Sequence, residues 1–218
     1  MAANAVNKRW LIALVAVPLL SSLAACSGTN DGGPASTPTV APPTTADEAT
    51  ATLEAESTYR ERLVAIDDAV TAWRGAGSIE EAHAAAEAAA NLVVGSGGPS
   101  YGDRDGNGVV DGETEVGVLP ALDGSPTGLA NALYGNRCVV ADVLGGTWDD
   151  PAGRWNTMLT AIDEWRPDHN TMPSLPSHPM RVVGWATFTL ASDSLDEAHE
   201  YGGHARLHVN VSLEALDC

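Results

Sequence analysis

Lysine is nearly absent from this chain of 218 residues, and the single one, Lys8, lies close to the N-terminus. Chemistry that needs a lysine in the folded part is therefore excluded. The sequence also lacks the serine-nucleophile motifs of common hydrolases, glycine-rich phosphate or dinucleotide loops, the His-Glu-x-x-His zinc motif and the haem-attachment motif. These absences favour a non-enzymatic protein without excluding an enzyme.

Positive charge is scarce throughout the chain. There are 11 basic and 29 acidic side chains, and the first 25 residues contain two of the basic ones and none of the acidic ones. The rest of the chain therefore has nine basic and 29 acidic side chains, a formal net charge of −20. Such a surface repels nucleic-acid phosphates and anionic lipid headgroups, so we predict no nucleic-acid partner. Cations are the natural small partners, although the charge also serves solubility alone.

The first 25 residues have the three regions of an export signal. Two basic residues precede an apolar run over 10–20, which is too short to span a membrane. The sequence Leu23-Ala24-Ala25-Cys26 then resembles the bacterial lipobox. The resemblance implies that the signal, 1–25, is cut off before Cys26 and that Cys26 carries diacylglycerol and acyl chains such as palmitate. The lipid would anchor the protein outside the cytoplasm, to the cell membrane or the outer membrane. The alternative is an ordinary secretory signal with a coincidental cysteine.

The residues that follow the signal, 26–45, are rich in Ser, Thr, Gly and Pro and have almost no large apolar side chain. Such a composition cannot bury a core, so we predict a disordered tether. If it is partly polyproline-like, at about 3.1 Å per residue, the tether would reach about 60 Å. The remaining residues, 46–218, are predicted to form one folded domain.

Apolar side chains in this domain recur at the three- and four-residue spacings of helices. We predict helices over 47–73, 79–94, 126–144, 151–165 and 195–216, and a segment over 180–190 that fits a helix or a strand and is favoured as a helix. The first apolar stripe is Leu53, Ala55, Tyr59, Leu63, Ile66, Val70 and Trp73. Capping residues mark helix starts at Ser78, at Asp149 or Asp150, and at Ser194, whereas Gly202-Gly203 weakens the last helix. The predicted fold is an all-α bundle of five or six helices with one long insertion over about 95–125.

Four tryptophans lie in these helical segments: Trp73, Trp155, Trp165 and Trp185. Tryptophan side chains bury large areas, so we interpret these as core anchors rather than as ligand platforms.

Residues 103–114 read Asp-Arg-Asp-Gly-Asn-Gly-Val-Val-Asp-Gly-Glu-Thr. This segment resembles the calcium loop of EF-hand, dockerin and thrombospondin-repeat proteins. Calcium takes six to eight oxygen ligands, which alternate residues supply when the chain wraps around the ion. The resemblance implies a positive φ at Gly108. It also implies ligands from Asp103, Asp105, Asn107, the backbone carbonyl of Val109, and Asp111.

The last position of the loop departs from that family. Thr114 stands where the family has a bidentate Glu or Asp, and we predict that Glu113 or Glu115 takes over this function. A loop as long as 95–125 needs something to order it, and a structural calcium ion would do so. The alternative is an acidic, glycine-rich turn that binds nothing.

Two further pairs of residues are candidate sites. Cys138 and Cys218 are the cysteines besides Cys26, and an oxidising compartment favours a disulfide between them. The alternative is one buried and one free thiol. His204 and His208 are four residues apart on the last predicted helix, where they can hold a transition metal such as zinc or form an ordinary polar face.

These patterns favour a membrane-anchored extracytoplasmic lipoprotein with a calcium-stabilised helical domain. It would be a non-enzymatic binding or scaffold protein for an unknown protein or small molecule. Two alternatives stay open: a transition-metal capture protein that uses His204 and His208, and an envelope enzyme whose chemistry only the fold reveals. The lipobox and the calcium loop name no family for the helical domain itself.

Overall fold

The structure is a computed structural model that describes residues 45–218, with side chains from residue 48 onward. The predicted signal peptide, almost all of the tether, and Cys26 lie outside the described residues. Within them the chain forms five helices: α1 (Thr45–Gly75), α2 (Ile79–Val94), α3 (Pro151–Glu164), α4 (His178–Ala191) and α5 (Leu195–Glu214). No β-strand occurs in this part, so the predicted all-α class is confirmed. None of its helices combines the length and the apolar character needed to cross a membrane.

Four of the helices form a bundle. Helix α1 packs against α2 and α5, and α4 packs against the same two helices, so the order around the bundle is α1, α2, α4, α5. Helix α3 packs on the outside, mainly against α4. The largest fully buried side chains of these helices are Tyr59, Leu63, Ile66, Trp73, Trp155, Met158 and Met180. The core therefore includes three of the four tryptophans interpreted as anchors, Trp73, Trp155 and Trp185, and Trp165 is partly buried against it.

Side-chain caps determine where most of the helices begin. Ser78 accepts a hydrogen bond from the Glu81 N–H at 3.2 Å, which starts α2 at its predicted residue. Asp150 caps α3 and Ser194 caps α5 in the same way, as predicted. The ambiguous segment over 180–190 is helical and lies within α4.

The apolar stripe predicted for α1 is buried from Tyr59 to Trp73 but not at its start. Leu53 is 68% exposed, and all residues over 48–54 are exposed. The prediction that Leu53 faces the core is therefore wrong. The first turns of α1 extend beyond the elements that cover its later turns.

Gly202 allows α5 to pack closely against α1. A Cβ atom at this position would lie 2.8 Å from Cγ of Arg74 and 3.3 Å from the ring of Trp73. The glycine that lowers the helix propensity of α5 thus makes room for the indole of Trp73, which is fully buried.

The continuous helix predicted over 126–144 is wrong. A 3₁₀ turn at Leu129–Leu133 and a π-helical segment at Val139–Leu144 replace it. Gly128 enters with φ 79°, and a Cβ atom there would lie 2.4 Å from the carbonyl carbon of Leu119. The chain here packs on the residues before it, because the Leu129 N–H bonds to the carbonyl of Gly117 at 2.9 Å. These tertiary contacts override the helical periodicity.

Candidate metal centre

The predicted calcium loop lies directly on α2. We call residues 101–112 the acidic loop. A Cβ atom at Gly112, where φ is 70°, would lie only 2.4 Å from the carbonyl oxygen of Ala88. The close contact between the loop backbone and α2 therefore requires glycine at this position of the loop. The many alanines of α2 have small side chains, which let the loop come close to the helix backbone.

The carboxylate of Glu87, on α2, holds the backbone of the acidic loop through hydrogen bonds. Its side chain is fully buried. One carboxylate oxygen, Oε2, accepts the backbone N–H groups of Arg104 and Asp105, the latter at 3.0 Å. The other oxygen, Oε1, accepts the N–H of Asp111 at 2.9 Å. A single buried carboxylate thus joins both ends of the loop to the helix.

Asn91 lies one helical turn after Glu87 and also forms hydrogen bonds with the backbone of the acidic loop. Its Oδ1 accepts the N–H of Gly102 at 3.1 Å, and its Nδ2 donates to the carbonyls of Gly102 at 3.2 Å and Asp111 at 2.7 Å. Every side-chain hydrogen bond of this fully buried amide is therefore made to the loop backbone. Since residues four apart lie on one helix face, Glu87 and Asn91 form a polar strip along α2.

The first two predicted ligands shape the tip of the loop. Asp103 accepts the N–H groups of Gly106 at 2.8 Å and Gly108 at 3.0 Å, and Asp105 accepts that of Asn107 at 3.0 Å. Gly108 has φ 90°, which is the positive φ predicted for it. The loop therefore wraps around its own carboxylates, and each carboxylate oxygen that accepts one hydrogen bond still has a further lone pair.

Three carboxylates meet at this point. One oxygen each from Glu87, Asp103 and Asp105 lies within 4.8 Å of the others. Two oxygens that share a calcium ion at about 2.4 Å are at most about 4.8 Å apart, so the spacing fits this ion. The donor set also fits, because it consists of carboxylate oxygens with a neighbouring amide and backbone carbonyls.

The remaining predicted ligands lie around this group rather than within it. The Asp111 carboxylate accepts a hydrogen bond from the Asn107 amide at 3.2 Å, and Val109 is exposed at the tip. Glu113 and Glu115 are exposed and do not belong to the three-carboxylate group. The third carboxylate of the group is thus Glu87, which the sequence did not single out, rather than Glu113 or Glu115.

Arg104 is the basic residue of the acidic loop. Its Nη2 donates to Oγ1 of Thr187 on α4 at 2.9 Å, and its Nη1 is buried without a hydrogen-bond partner. Burial lowers the pKa of Arg104, and the charge of Glu87 partly opposes this shift. One positive charge therefore accompanies three clustered carboxylates, and a divalent cation would neutralise the remainder.

The histidine pair proposed as a transition-metal site is arranged differently. His208 Nδ1 lies 3.0 Å from Nδ1 of His178, at the start of α4. His204 instead stacks on Trp185, with ring centroids 4.4 Å apart. Within residues 48–218, Glu87, Asp103 and Asp105 are the one group of three or more His, Cys, Asp or Glu side chains close enough to share an ion. No third such ligand therefore joins His204 and His208.

The imidazoles of His178 and His208 form a neutral hydrogen-bonded pair. One Nδ1 must donate and the other accept, so at most one of the two rings can be charged while this hydrogen bond persists. Burial lowers the pKa of His208 to about 3, with further lowering from His178, Arg181 and His204. Burial and the charge of Arg181 also lower the pKa of His178, whereas the charge of Asp142 raises it.

Cys138 and Cys218 form a disulfide with Cα atoms 6.1 Å apart, a usual separation for this bond. The bond attaches the last residue of the chain to the start of the π-helical segment. Cys26, the predicted lipidation site, lies outside the described residues.

Comparisons with protein-family models, curated proteins and solved structures find no match to this chain. Its function is therefore inferred from the site. The sequence does contain a signal for the two missed residues, because Glu87 and Asn91 are four apart in an otherwise alanine-rich run. A polar pair at this spacing within a helix that must be buried indicates a polar partner.

Proposed function

We propose that this protein is a membrane-anchored extracytoplasmic lipoprotein whose helical domain is stabilised by calcium in the acidic loop, and that it serves as a non-enzymatic binding or scaffold protein. The observation that carries the calcium part is the meeting of Asp103 and Asp105 with the buried carboxylate of Glu87. Asp103 and Asp105 belong to the segment whose spacing resembles that of known calcium loops, and Glu87 meets them from α2.

Calcium fits this group better than magnesium does. Magnesium requires a strict octahedral geometry and releases water reluctantly, whereas calcium accepts six to eight oxygens in a flexible arrangement. The loop offers three carboxylates, with Asn107, Asp111 and the Val109 carbonyl nearby as further oxygens. Extracellular calcium sites bind with dissociation constants of about 10⁻⁴–10⁻³ M, and a site of that strength would be filled outside the cytoplasm.

The ion would hold the long connection between α2 and α3 on the bundle. The chain from residue 95 to residue 150 contains only short helical turns. Glu87 and Asn91 anchor its acidic loop, and Arg62 of α1 donates to the carbonyl of Val116 just beyond that loop. Calcium would bind the carboxylates of the loop and the carboxylate of α2 at the same time. It would thus strengthen the attachment of the acidic loop to the bundle, which hydrogen bonds already provide.

The anchor and the cellular location rest on Leu23-Ala24-Ala25-Cys26, which resembles the lipobox. The non-enzymatic role is supported by the absence of recognised catalytic motifs from the sequence. A loop that is tied to the bundle by one ion provides a rigid surface, as binding and scaffold proteins require.

Calcium binding is tested by titration of the full chain after exhaustive chelation, with isothermal calorimetry and thermal melting. We expect saturable heat and a rise in melting temperature for the wild type, and neither for Asp103→Ala. Asp123→Ala is the matched control, because Asp123 is an exposed acid of the same connection whose carboxylate accepts one backbone N–H, from Ser125 at 3.0 Å.

Two results would contradict the proposal. One is the absence of heat and melting shift in the wild type at millimolar calcium, which would leave an ordinary acidic turn. The other is an equal loss of binding in Asp123→Ala, which would show diffuse attraction of calcium to an acidic surface rather than a site.

A further inference from the structure

A second surface feature is independent of the acidic loop. The chain has six tryptophans, four tyrosines and one phenylalanine. Four of these eleven aromatic residues gather where the end of α3 meets α4 and α5: Trp165, Trp185, Phe188 and Tyr201. We call them the aromatic cluster. Trp185 is 4% exposed, but the other three are only half-buried, so the cluster extends from the core to the surface.

A cavity of about 280 Å³ opens beside this cluster. Its walls include Trp165, Trp185, Tyr201 and the imidazole of His204, which stacks on Trp185, and the exposed Glu197 and Glu200 of α5 also line it, at its rim. The Trp165 ring stands nearly perpendicular to both other rings, at 80° to Trp185 and 88° to Tyr201. The aromatic walls therefore meet at a corner, and the space is suited to a small ligand rather than an extended one.

The formal charge of the residues that line the cavity is negative, because the carboxylates of Glu197 and Glu200 outnumber the one histidine, His204, which lies 4.0 Å from Glu200. Lysine and arginine are absent from the described residues that line it. Arg166, next to Trp165 in the chain, donates its Nη1 to the backbone carbonyls of Asp163, at 2.7 Å, and Trp165. Burial together with the charges of Glu197 and Glu200 raises the pKa of Tyr201, as expected where two carboxylates face one ring.

We propose that this cavity binds a small organic cation of the quaternary-ammonium class. Aromatic faces attract such cations through the ring quadrupole, and the attraction is strongest where water is displaced. Carboxylates at the rim add attraction for the charge. A metal ion would need several converging oxygens instead of indole walls, and a neutral apolar ligand would make no use of two glutamates. Aromatic walls and acidic rim together thus select an organic cation.

The test is a titration of the full chain with choline chloride, followed by tryptophan fluorescence and calorimetry at constant ionic strength. 3,3-Dimethylbutan-1-ol serves as the comparison, because it has the shape of choline with a neutral carbon in place of the nitrogen. We expect saturable binding of choline and at least about tenfold weaker binding of the alcohol, since a desolvated cation–aromatic contact contributes to this extent.

Two pairs of variants locate the binding. Glu200→Gln removes one rim charge from an exposed position and should weaken choline binding about threefold or more. Glu214→Gln removes an exposed charge of the same helix away from the cavity and should leave binding unchanged. Tyr201→Leu should abolish saturable binding, whereas Phe188→Leu, which shortens a cluster residue that does not line the cavity, should preserve it.

Three outcomes would overturn the proposal. The first is equal binding of choline and the neutral alcohol, which would show an apolar pocket without cation recognition. The second is an equal effect of Glu200→Gln and Glu214→Gln, which would show general attraction to an acidic helix. The third is no saturable change in fluorescence or heat with choline.

Discussion

Glu87→Gln should remove the calcium-dependent part of the stability of this protein while changing its calcium-free stability little. The glutamate carboxylate accepts three backbone N–H groups, from Arg104, Asp105 and Asp111. Glutamine has nearly the same volume but one acceptor oxygen. At least one buried N–H therefore loses its partner, at a cost of about 1–3 kcal/mol.

Charge repulsion opposes this cost when calcium is absent. At an effective dielectric constant of about 20, two unit charges at the 4.8 Å limit that bounds the carboxylate group repel by about 3.5 kcal/mol. Glutamine at position 87 removes the repulsion with Asp103 and with Asp105, although solvent around the exposed Asp103 screens part of it. The two repulsions together are about 7 kcal/mol before this screening and a few kcal/mol after it, which is close to the hydrogen-bond cost, so we expect a net change below about 2 kcal/mol in chelator.

In calcium, the relief of charge repulsion no longer offsets the lost hydrogen bond, because the bound ion already cancels the repulsion between the carboxylates. At a calcium concentration of about 100 times the dissociation constant, binding stabilises the wild type by about 2.7 kcal/mol. The variant lacks one carboxylate ligand and should retain less than about 1 kcal/mol of this gain at the same concentration.

Urea unfolding followed by far-ultraviolet circular dichroism, in calcium and in chelator, measures both quantities. Asp123→Asn is the control and should behave as the wild type in both conditions. If Glu87→Gln is destabilised equally with and without calcium, Glu87 acts only as a hydrogen-bond acceptor, and the reasoning is refuted.

Three further predictions concern other parts of the chain. Cys26→Ser should abolish labelling by radioactive palmitate and release the protein from the membrane fraction; continued labelling would contradict the lipobox interpretation. Reduction of the disulfide between Cys138 and Cys218, which are 80 residues apart, should lower the unfolding free energy by about 4 kcal/mol in urea melts, and an unchanged midpoint would argue against it. Burial lowers the pKa of His208 from 6.5 to about 3, so as the pH falls the unfolded chain takes up the proton before the folded chain does. The stability that depends on a neutral His208 is therefore complete above pH 6.5 and is lost as the pH falls towards 3. His208→Asn should therefore lose less melting temperature than the wild type over this window, and equal losses would show that His208 contributes nothing.

The parts of the fold that follow local rules were predicted well from the sequence. Helix α2 has its predicted bounds because Ser78 and Glu81 cap its start and Gly95, with φ 64°, follows its end. Its ends depend on residues within one turn, so no distant contact is needed to place them. The same holds for α3, which Asp150 caps.

The elements that depend on distant contacts were not predicted. The segment over 126–144 has helical periodicity, but its backbone bonds to residues 117 and 118 are made across a loop. The pairing of His178 with His208 joins α4 to α5, and spacing along one helix instead favours His204 with His208. Glu87 is the clearest case, since its partners lie 17 to 24 residues later in the chain.

The residues of the three-carboxylate group were therefore predicted only in part, and whether the group binds an ion stays a prediction. The motif over 103–111 identified the loop and the glycine at 108, because those depend on the order of neighbouring residues. It could not identify Glu87 as the helix carboxylate that joins Asp103 and Asp105, because that requires knowing which surface the loop lies on.

The disulfide at the chain terminus gives the protein an unusual mechanical property. Residues 138–218 form a covalent ring that contains α3, α4 and α5. A pulling force between the two ends of the chain passes through the sulfur bridge and cannot lengthen the segment inside the ring. About 80 residues, or roughly 280 Å of extended chain, stay out of the load path. Under tension, α1, α2 and the acidic loop would extend while the other three helices bear no direct load. If the N-terminal end is held at a membrane, the ring is the half of the domain that cannot be extended when the protein is pulled.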